Sequence, residues 1–245
     1  MGVMDYMQAW QLQDSMAAEI ARGERPPTLL LLQHPNCYTF GRRGNSENLL
    51  WNEEILRQQG IQVYWVDRGG DITYHGPGQL VGYPLLPLGT PRIERTSEST
   101  APRSDQHIPQ ADYTGYLRKL EAVLILTLMR LGVPAGQING LTGVWVQPDV
   151  PSRCRRCDPN IRRQPAKIAA LGVKVDARGI TRHGFALNVD PEMAYFEGIV
   201  PCGIKDYAIA SLADFFEPPP GIDEVAGLII TAFGELFNFE MIEAS

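Results

Sequence analysis

Five of the chain's glycines fall within residues 69–82, in a stretch that is otherwise strand-forming. Residues 71–75 and 79–86 predict two strands, and the Gly-Pro-Gly tripeptide at 76–78 is a strong turn signal between them. Glycine weakens a strand, so this density indicates either a tight hairpin or a strand surface that a ligand approaches closely. The sequence alone leaves both readings open, and we expect the two strands to pair as a hairpin.

The other secondary-structure signals place helices around a β-rich interior. Apolar residues recur at helical spacing in three segments, residues 4–22, 113–131 and 222–237. Runs that predict strands lie at residues 28–33, 61–66, 143–146, 167–175 and 179–189. Strands and helices do not alternate regularly, so an α+β fold is expected rather than a parallel α/β sheet.

Composition narrows the class of protein. The 245 residues are 44% hydrophobic and 20% charged, which suits one globular domain over residues 1–245, with flexible loops expected at 89–111 and 148–165. A net charge of -6 disfavours a nucleic-acid partner. No apolar run is long enough to span a membrane, and the first residues do not resemble a signal peptide. We therefore expect a cytoplasmic location and no membrane partner.

The cysteines and glycines do not complete a familiar cofactor motif. Four cysteines are too few for a disulfide scaffold. Cys154 and Cys157 form a C-x-x-C in an arginine-rich stretch, and a zinc site would need two further ligands. We interpret them as exposed thiols, with a partial metal site or a redox-labile pair as alternatives. The glycines match neither the G-x-G-x-x-G nor the P-loop pattern, so no nucleotide cofactor is expected.

Several residues have chemistry that their surroundings do not explain. Lys167 begins an otherwise apolar strand, where the ordinary alternative is a strand-end lysine reaching solvent. Cys202 lies between Pro201 and Gly203, where the alternative is a small buried cysteine. Arg68 could anchor the polar end of a ligand, or could be an ordinary exposed arginine.

Four sequence blocks together resemble the lipoyl(octanoyl) transferases. The blocks are RGGDITYHGPGQLVGYPLL (68–86), KIAALGVKV (167–175), HGFALNV (183–189) and IVPCGI (199–204), within a resemblance that covers about residues 25–212. The resemblance implies a fold similar to that of the biotin and lipoate protein ligases, with a mixed sheet flanked by helices. It implies transfer of an octanoyl group from octanoyl-acyl carrier protein to a protein lysine, the first step of lipoylation from endogenous octanoate.

The resemblance also implies partners and residue roles. The acceptors would be apo lipoyl domains of 2-oxoacid dehydrogenase E2 subunits and the glycine cleavage H protein, with no metal or cofactor required. Cys202 matches the cysteine that carries the acyl thioester, and Lys167 matches the lysine that lowers the pKa of that cysteine. The matched substrate-binding stretches are Arg68, Gly69, Gly70, Asp71, Ile72, Thr73, Tyr74, His75, then Ala170, Leu171, Gly172, and then Gly184, Phe185, Ala186.

The sequence departs from the family's pattern in places that remove no catalytic residue. Arg182 precedes His183 where family members often have an aromatic, and residues 205–207 also differ. The five arginines within 153–163 are a solvated charge run or, alternatively, a docking patch for an acidic carrier protein. An ATP-dependent lipoate or biotin protein ligase and a non-catalytic carrier-binding module remain alternatives on the same fold.

Overall fold

A computed structural model describes residues 2–88, 112–147, 164–201 and 207–243. Residues 89–111, most of 148–165, Cys154, Cys157 and Cys202 therefore lie outside the described part. Its α-helices are α1 (Tyr6–Ala21), α2 (Glu53–Gln58), α3 (Tyr113–Arg130) and α4 (Ile222–Phe237). Its strands are β1 (Thr28–Leu32), β2 (Cys37–Phe40), β3 (Gln62–Trp65), β4 (Ile72–His75), β5 (Gln79–Leu85), β6 (Ala135–Ile138), β7 (Leu141–Val146), β8 (Ala166–Val175), β9 (Thr181–Asn188) and β10 (Ala208–Ile209).

The described strands form two sheets. The larger has the order β1-β5-β9-β8-β7-β6, with β10 added in parallel to β8, and the smaller has the order β3-β2-β4. Within the smaller sheet β2 runs parallel to β3 and antiparallel to β4. Both sheets thus mix parallel and antiparallel pairs, and the predicted α+β class with a mixed sheet is confirmed.

The predicted hairpin of β4 and β5 is wrong. The turn at residues 76–78 exists, since the Gln79 N–H donates to the Gly76 carbonyl over 3.1 Å. However, β4 pairs with β2 in the smaller sheet, while β5 pairs with β1 on one edge and β9 on the other. Both edges of β5 are therefore occupied, and the turn carries the chain from one sheet to the other.

Helices cover both faces of the larger sheet. Successive residues of β5 point to opposite faces: Leu80 packs in the cluster that includes Leu124 of α3 and Phe233 of α4, and Val81 packs in the cluster that includes Ala9 of α1. No helix in the described part of the chain is both long and apolar enough to cross a membrane.

The centre of the larger sheet requires glycine where β5 and β9 pair. A Cβ added to Gly184 would lie 2.1 Å from the Gly82 carbonyl oxygen, and one added to Gly82 would lie 2.1 Å from Phe185 Cζ. At Gly184 and Gly82 the group that approaches closely is therefore part of the protein itself. A Cβ added to Gly78 would likewise lie 2.1 Å from the Asp190 carbonyl oxygen, so a ligand does not explain these three glycines.

We predict that Gly184→Ala lowers the free energy of unfolding by roughly 1–3 kcal/mol, because β5 and β9 must separate to admit a methyl group. The matched control is Gly227→Ala on α4, where an added Cβ meets nothing within 4 Å. That change should raise stability by up to about 1 kcal/mol, since alanine favours helix. Urea denaturation of both variants measures the two effects, and equal stability of the two variants would contradict this account.

Candidate active site

A cavity lies among β4, β5, β8, β9 and α1, with about 460 Å³ of empty space that includes solvent at its opening. We call it the large cavity. It brings together residues that are far apart in the sequence. Ten residues predicted to bind substrate line it: Arg68, Gly70, Thr73, His75, Ala170, Leu171, Gly172, Gly184, Phe185 and Ala186.

The four other residues of the predicted binding stretches have structural contacts instead. The Gly69 N–H donates to the Val173 carbonyl over 3.0 Å, and Asp71 Oδ1 accepts from the Asn45 N–H over 2.9 Å. Ile72 and Tyr74 belong to the core beneath the smaller sheet. Side chains alternate along β4, so its neighbouring residues reach the cavity while these two do not.

A second cavity, with about 300 Å³ of empty space that also includes solvent at its opening, adjoins the first and contains Lys167. We call it the Lys167 cavity, and the two together the central cleft. Thr73, Ala170 and Ala186 line both cavities, so they form the passage between them. Sequence reasoning missed the further lining residues Tyr6, Val81, Tyr83 and His183 of the large cavity and Gln79, Asn188, Phe196, Pro201 and Ile209 of the Lys167 cavity.

Lys167 is only 5% exposed, so it is not a strand-end lysine that reaches solvent. A β-bulge places it: Val144 pairs with Ala169 but the next residue, Trp145, pairs with Lys167. Bulges re-aim side chains, and here Lys167 Nζ lies 4.7 Å from the centroid of the buried Trp145 ring. The face of an indole ring attracts an ammonium group, so Trp145 helps to hold this charge in the interior.

Gly143 lies beside Lys167, and Glu121 holds the backbone of Gly143. Gly143 has φ of 133°, and a Cβ there would lie 3.1 Å from Lys167 Cε. Its N–H donates to the buried Glu121 carboxylate over 3.0 Å, and Glu121 also accepts from Arg118 over 2.8 Å. A buried carboxylate on α3 thus fixes the strand that borders the lysine. A glutamate among the apolar positions of a helix was the sequence signal that could have found it.

The described residues on both sides of 202–206 lie beside Lys167. Pro201 lines the Lys167 cavity. After the gap, the Tyr207 ring lies 5.0 Å from the Trp145 ring, and Ile209 pairs with Lys167. The Ala210 N–H then donates to the Lys167 carbonyl over 2.9 Å.

Buried polar groups surround the large cavity away from Lys167. Arg68 is 8% exposed, so the exposed-arginine reading is wrong. Its guanidinium donates to Thr39 Oγ1 and to the Gly69 carbonyl, each over 2.9 Å. Tyr6 of α1 and Tyr83 of β5 also line this cavity. Their phenol pKa values are raised above the ordinary range, mainly by burial, so both remain neutral.

Three buried histidines near this cavity are neutral at pH 7. Burial lowers the pKa of His34 to about 4, and its Nε2 lies 2.7 Å from the Tyr83 hydroxyl. Burial also lowers the pKa of His75, with a smaller effect from the neighbouring His34. The pKa of His183 is lowered by burial even though Asp67 opposes the shift. Each imidazole therefore has one nitrogen that donates and one that accepts.

Comparison with known proteins identifies the family. Residues 5–234 match the model of the lipoyl protein ligase A/B catalytic domain. The chain belongs to this family. This family member is similar to the octanoyltransferase of Chloroflexus aurantiacus, at 39% identity over 240 residues, which are 98% of this chain and 93% of the relative. It is also similar to that of Synechococcus elongatus, at 39% identity over 98% of this chain and 86% of the relative.

Solved structures agree with the family at the level of the fold. A bi-partite lipoate protein ligase from Thermoplasma acidophilum superposes with a TM-score of 0.64 at 17% identity, covering 95% of this family member and 82% of the ligase. A lipoate-protein ligase A bound with ATP gives 0.61 at 19% identity, covering 95% and 83%. The expected similarity to the lipoate ligase fold is confirmed.

We predict that the free energy of unfolding falls as the pH drops below about 6.5, the ordinary pKa of histidine. The folded protein keeps these histidines neutral. Between that pH and the lowered pKa of each histidine, the unfolded chain therefore binds protons that the folded chain does not bind. For His34 the window extends down to about 4. Within its window, each such histidine lowers the free energy of unfolding by about 1.4 kcal/mol for each pH unit of acidification.

Urea denaturation between pH 7 and pH 4.5 measures this slope. His34→Gln is expected to be less stable at pH 7. Its free energy of unfolding should nevertheless fall less steeply as the pH drops, because it has one fewer histidine whose pKa is lowered by folding. Parallel curves for the two proteins would contradict the assignment of a neutral buried His34.

Proposed function

We propose that this protein transfers an octanoyl group from octanoyl-acyl carrier protein to a lysine of lipoyl domains, with Cys202 as the acyl carrier and Lys167 as the proton-transfer partner. The observation that carries the proposal is a buried lysine at one end of an apolar cleft, bordered by residues on both sides of the cysteine segment. Relatives named octanoyltransferase support the acyl group, and the Thermoplasma ligase belongs to a lipoylation system that includes an E2 lipoyl domain.

In the first step the Cys202 thiolate attacks the thioester carbonyl of the donor. A bond forms between that carbon and the cysteine sulfur, the bond to the carrier's sulfur breaks, and the carrier leaves as a thiol after taking a proton from Lys167. The thiolate is the reactive form, and a nearby ammonium group favours it. A thioester is already activated, so the step needs no ATP.

In the second step the acceptor lysine attacks the acyl-enzyme. The new amide bond forms as the bond to the Cys202 sulfur breaks and the cysteine leaves as a thiolate. Lys167, neutral after the first step, takes the proton that the attacking amine loses, which restores the starting charges. One cysteine serving both half-reactions gives ping-pong kinetics. Apo E2 lipoyl domains and the glycine cleavage H protein are the acceptors we propose.

The substrate-binding role of the predicted stretches follows from the same cleft. We propose that the acyl chain lies over the face of the β8–β9 pair, along Ala170 and Ala186, whose small side chains leave room above the sheet. The chain acts as one catalytic domain over residues 1–245 in the cytoplasm, without a metal or cofactor.

We predict that incubation with octanoyl-acyl carrier protein, without ATP, adds one octanoyl mass to the intact protein. Cys202→Ser should neither gain a stable octanoyl group nor turn over, because a hydroxyl ionises far less readily than a thiol. Cys37→Ala is the matched control: Cys37 is 3% exposed and burial raises its thiol pKa, so removing it should leave acylation intact.

Two outcomes would contradict the thioester mechanism. One is transfer by Cys202→Ser at the wild-type rate. The other is transfer that requires ATP and releases AMP, which is the chemistry of a lipoate or biotin protein ligase and needs no nucleophilic cysteine. Absence of acylation in the wild-type protein would instead favour a carrier-binding module.

We predict that Lys167→Ala loses most activity at neutral pH and regains part of it as the pH rises, because bulk base can then ionise Cys202. The matched control is Lys119→Ala on α3, which also loses an ammonium group lying over an aromatic ring, 4.9 Å from the Phe237 centroid. Initial rates of octanoyl transfer between pH 6.5 and 9.5 measure the effect. A residual rate that does not change with pH would mean that Lys167 has another role.

A further inference from the structure

His183 occupies one end of the central cleft. Ala186 lines the passage to Lys167, and Gly184 and His183 continue along β9 and line only the large cavity. Three residues of a strand span about 10 Å, so His183 lies well beyond the passage as seen from Lys167.

His183 is held rigidly in an uncommon conformation. Its φ is 57°, in the left-handed region that histidine tolerates better than most residues. The His183 N–H donates to Gln13 Oε1 over 2.7 Å, and Gln13 is a buried residue of α1. The ring Nε2 lies 2.7 Å from Asp67 Oδ1, and the residue is 1% exposed. Helix and carboxylate thus fix this residue through its backbone and its ring.

A partly buried charge cluster lies next to the ring, in which the Asp67 and Lys174 side chains are 24% and 23% exposed. Asp67 contacts His183 but is not among the residues that line the cleft, and its carboxylate also accepts from Arg182 Nη2 over 2.8 Å and from Lys174. Burial alone would raise the pKa of Asp67, but these three partners hold it well below the usual range, so the group is ionised. A methylene chain pushed past His183 would have to displace these paired charges.

We propose that His183 closes the cleft and sets the longest acyl chain that the protein accepts. This proposal rests on the proposed function, because the ligand is taken to be the acyl chain bound to Cys202. The middle of the cleft is apolar and lined by small residues, whereas its end is a polar ring backed by ions. The chain therefore fits until its methyl end meets His183, and additional methylenes find no apolar space.

The test replaces His183 with residues that tolerate its backbone conformation. His183→Gly adopts a positive φ freely and removes the whole ring, and His183→Asn keeps a smaller side chain in the same conformation. The measured quantity is kcat/KM with octanoyl and decanoyl carrier thioesters. The ratio of decanoyl to octanoyl should rise about tenfold in His183→Gly, the factor that burying two more methylenes supplies, and less in His183→Asn.

The control is Asp14→Asn, which removes a carboxylate that pairs with Arg182 from the exposed side, 2.7 Å away. It should leave the ratio at the wild-type value. An unchanged ratio in both His183 variants, with unfolding midpoints showing that they are folded, would overturn the proposal.

A second measurement separates this inference from the proposed function. Affinities for free octanoic and decanoic acid, measured by calorimetry on the same proteins, do not require turnover. If the wild-type protein transfers no octanoyl group, the proposed function fails. The length limit still stands if His183→Gly gains affinity for decanoic acid relative to octanoic acid, and it fails if the relative affinity stays at the wild-type value.

Discussion

The antiparallel pairing of β8 with β9 is the constraint on which the rest of the structure depends. It runs in unbroken register from Ala169 opposite Leu187 to Val175 opposite Thr181. Lys167 lies just before this register begins, and His183 lies near its other end. The same strand pair therefore carries both ends of the cleft, and its small residues form the floor between them. The close approach of Gly82 on β5 to Gly184 on β9 joins this pair to β5 in the middle of the larger sheet.

Each end of the cleft has an ionisable side chain with a close partner. At one end Lys167 lies against Trp145, and at the other Asp67 is ion-paired with Arg182. Isolated charges at low dielectric are costly, so such groups are stable only with close partners. In the proposed mechanism the stretch between them binds the acyl chain by burial, while the polar ends fix where its reactive and unreactive ends lie.

Much of the fold follows from patterns within single segments. The helices predicted at residues 4–22, 113–131 and 222–237 correspond to α1, α3 and α4, and the strands predicted at 167–175 and 179–189 correspond to β8 and β9. The predicted pairing of β4 with β5 is wrong for a physical reason. A turn signal indicates that the chain changes direction, but it does not indicate which strand each of the two strands pairs with. The short strand β2 was missed because its four residues, Cys37–Phe40, show no distinctive alternation.

The candidate site was predictable only where it is encoded in contiguous blocks. Ten of the residues predicted from those blocks line the large cavity, but whether Lys167 is buried could not be read from its own strand. Tyr6 and Glu121 were not predicted as site residues, because helical periodicity identifies the buried side of a helix without showing which groups that side contacts. Cys202 lies outside the described residues, and its role stays a prediction.

The first helix has a consequence for how such a protein can diverge. Tyr6 lines the cleft and Gln13 holds His183, yet both lie more than fifty residues before the first of the four sequence blocks. Substitutions in α1 can therefore reshape the far end of the cleft while every block stays identical. Two relatives with the same catalytic signature can differ in the acyl groups they select, and exchanging this helix between them is a route to new selectivity that leaves the chemistry in place.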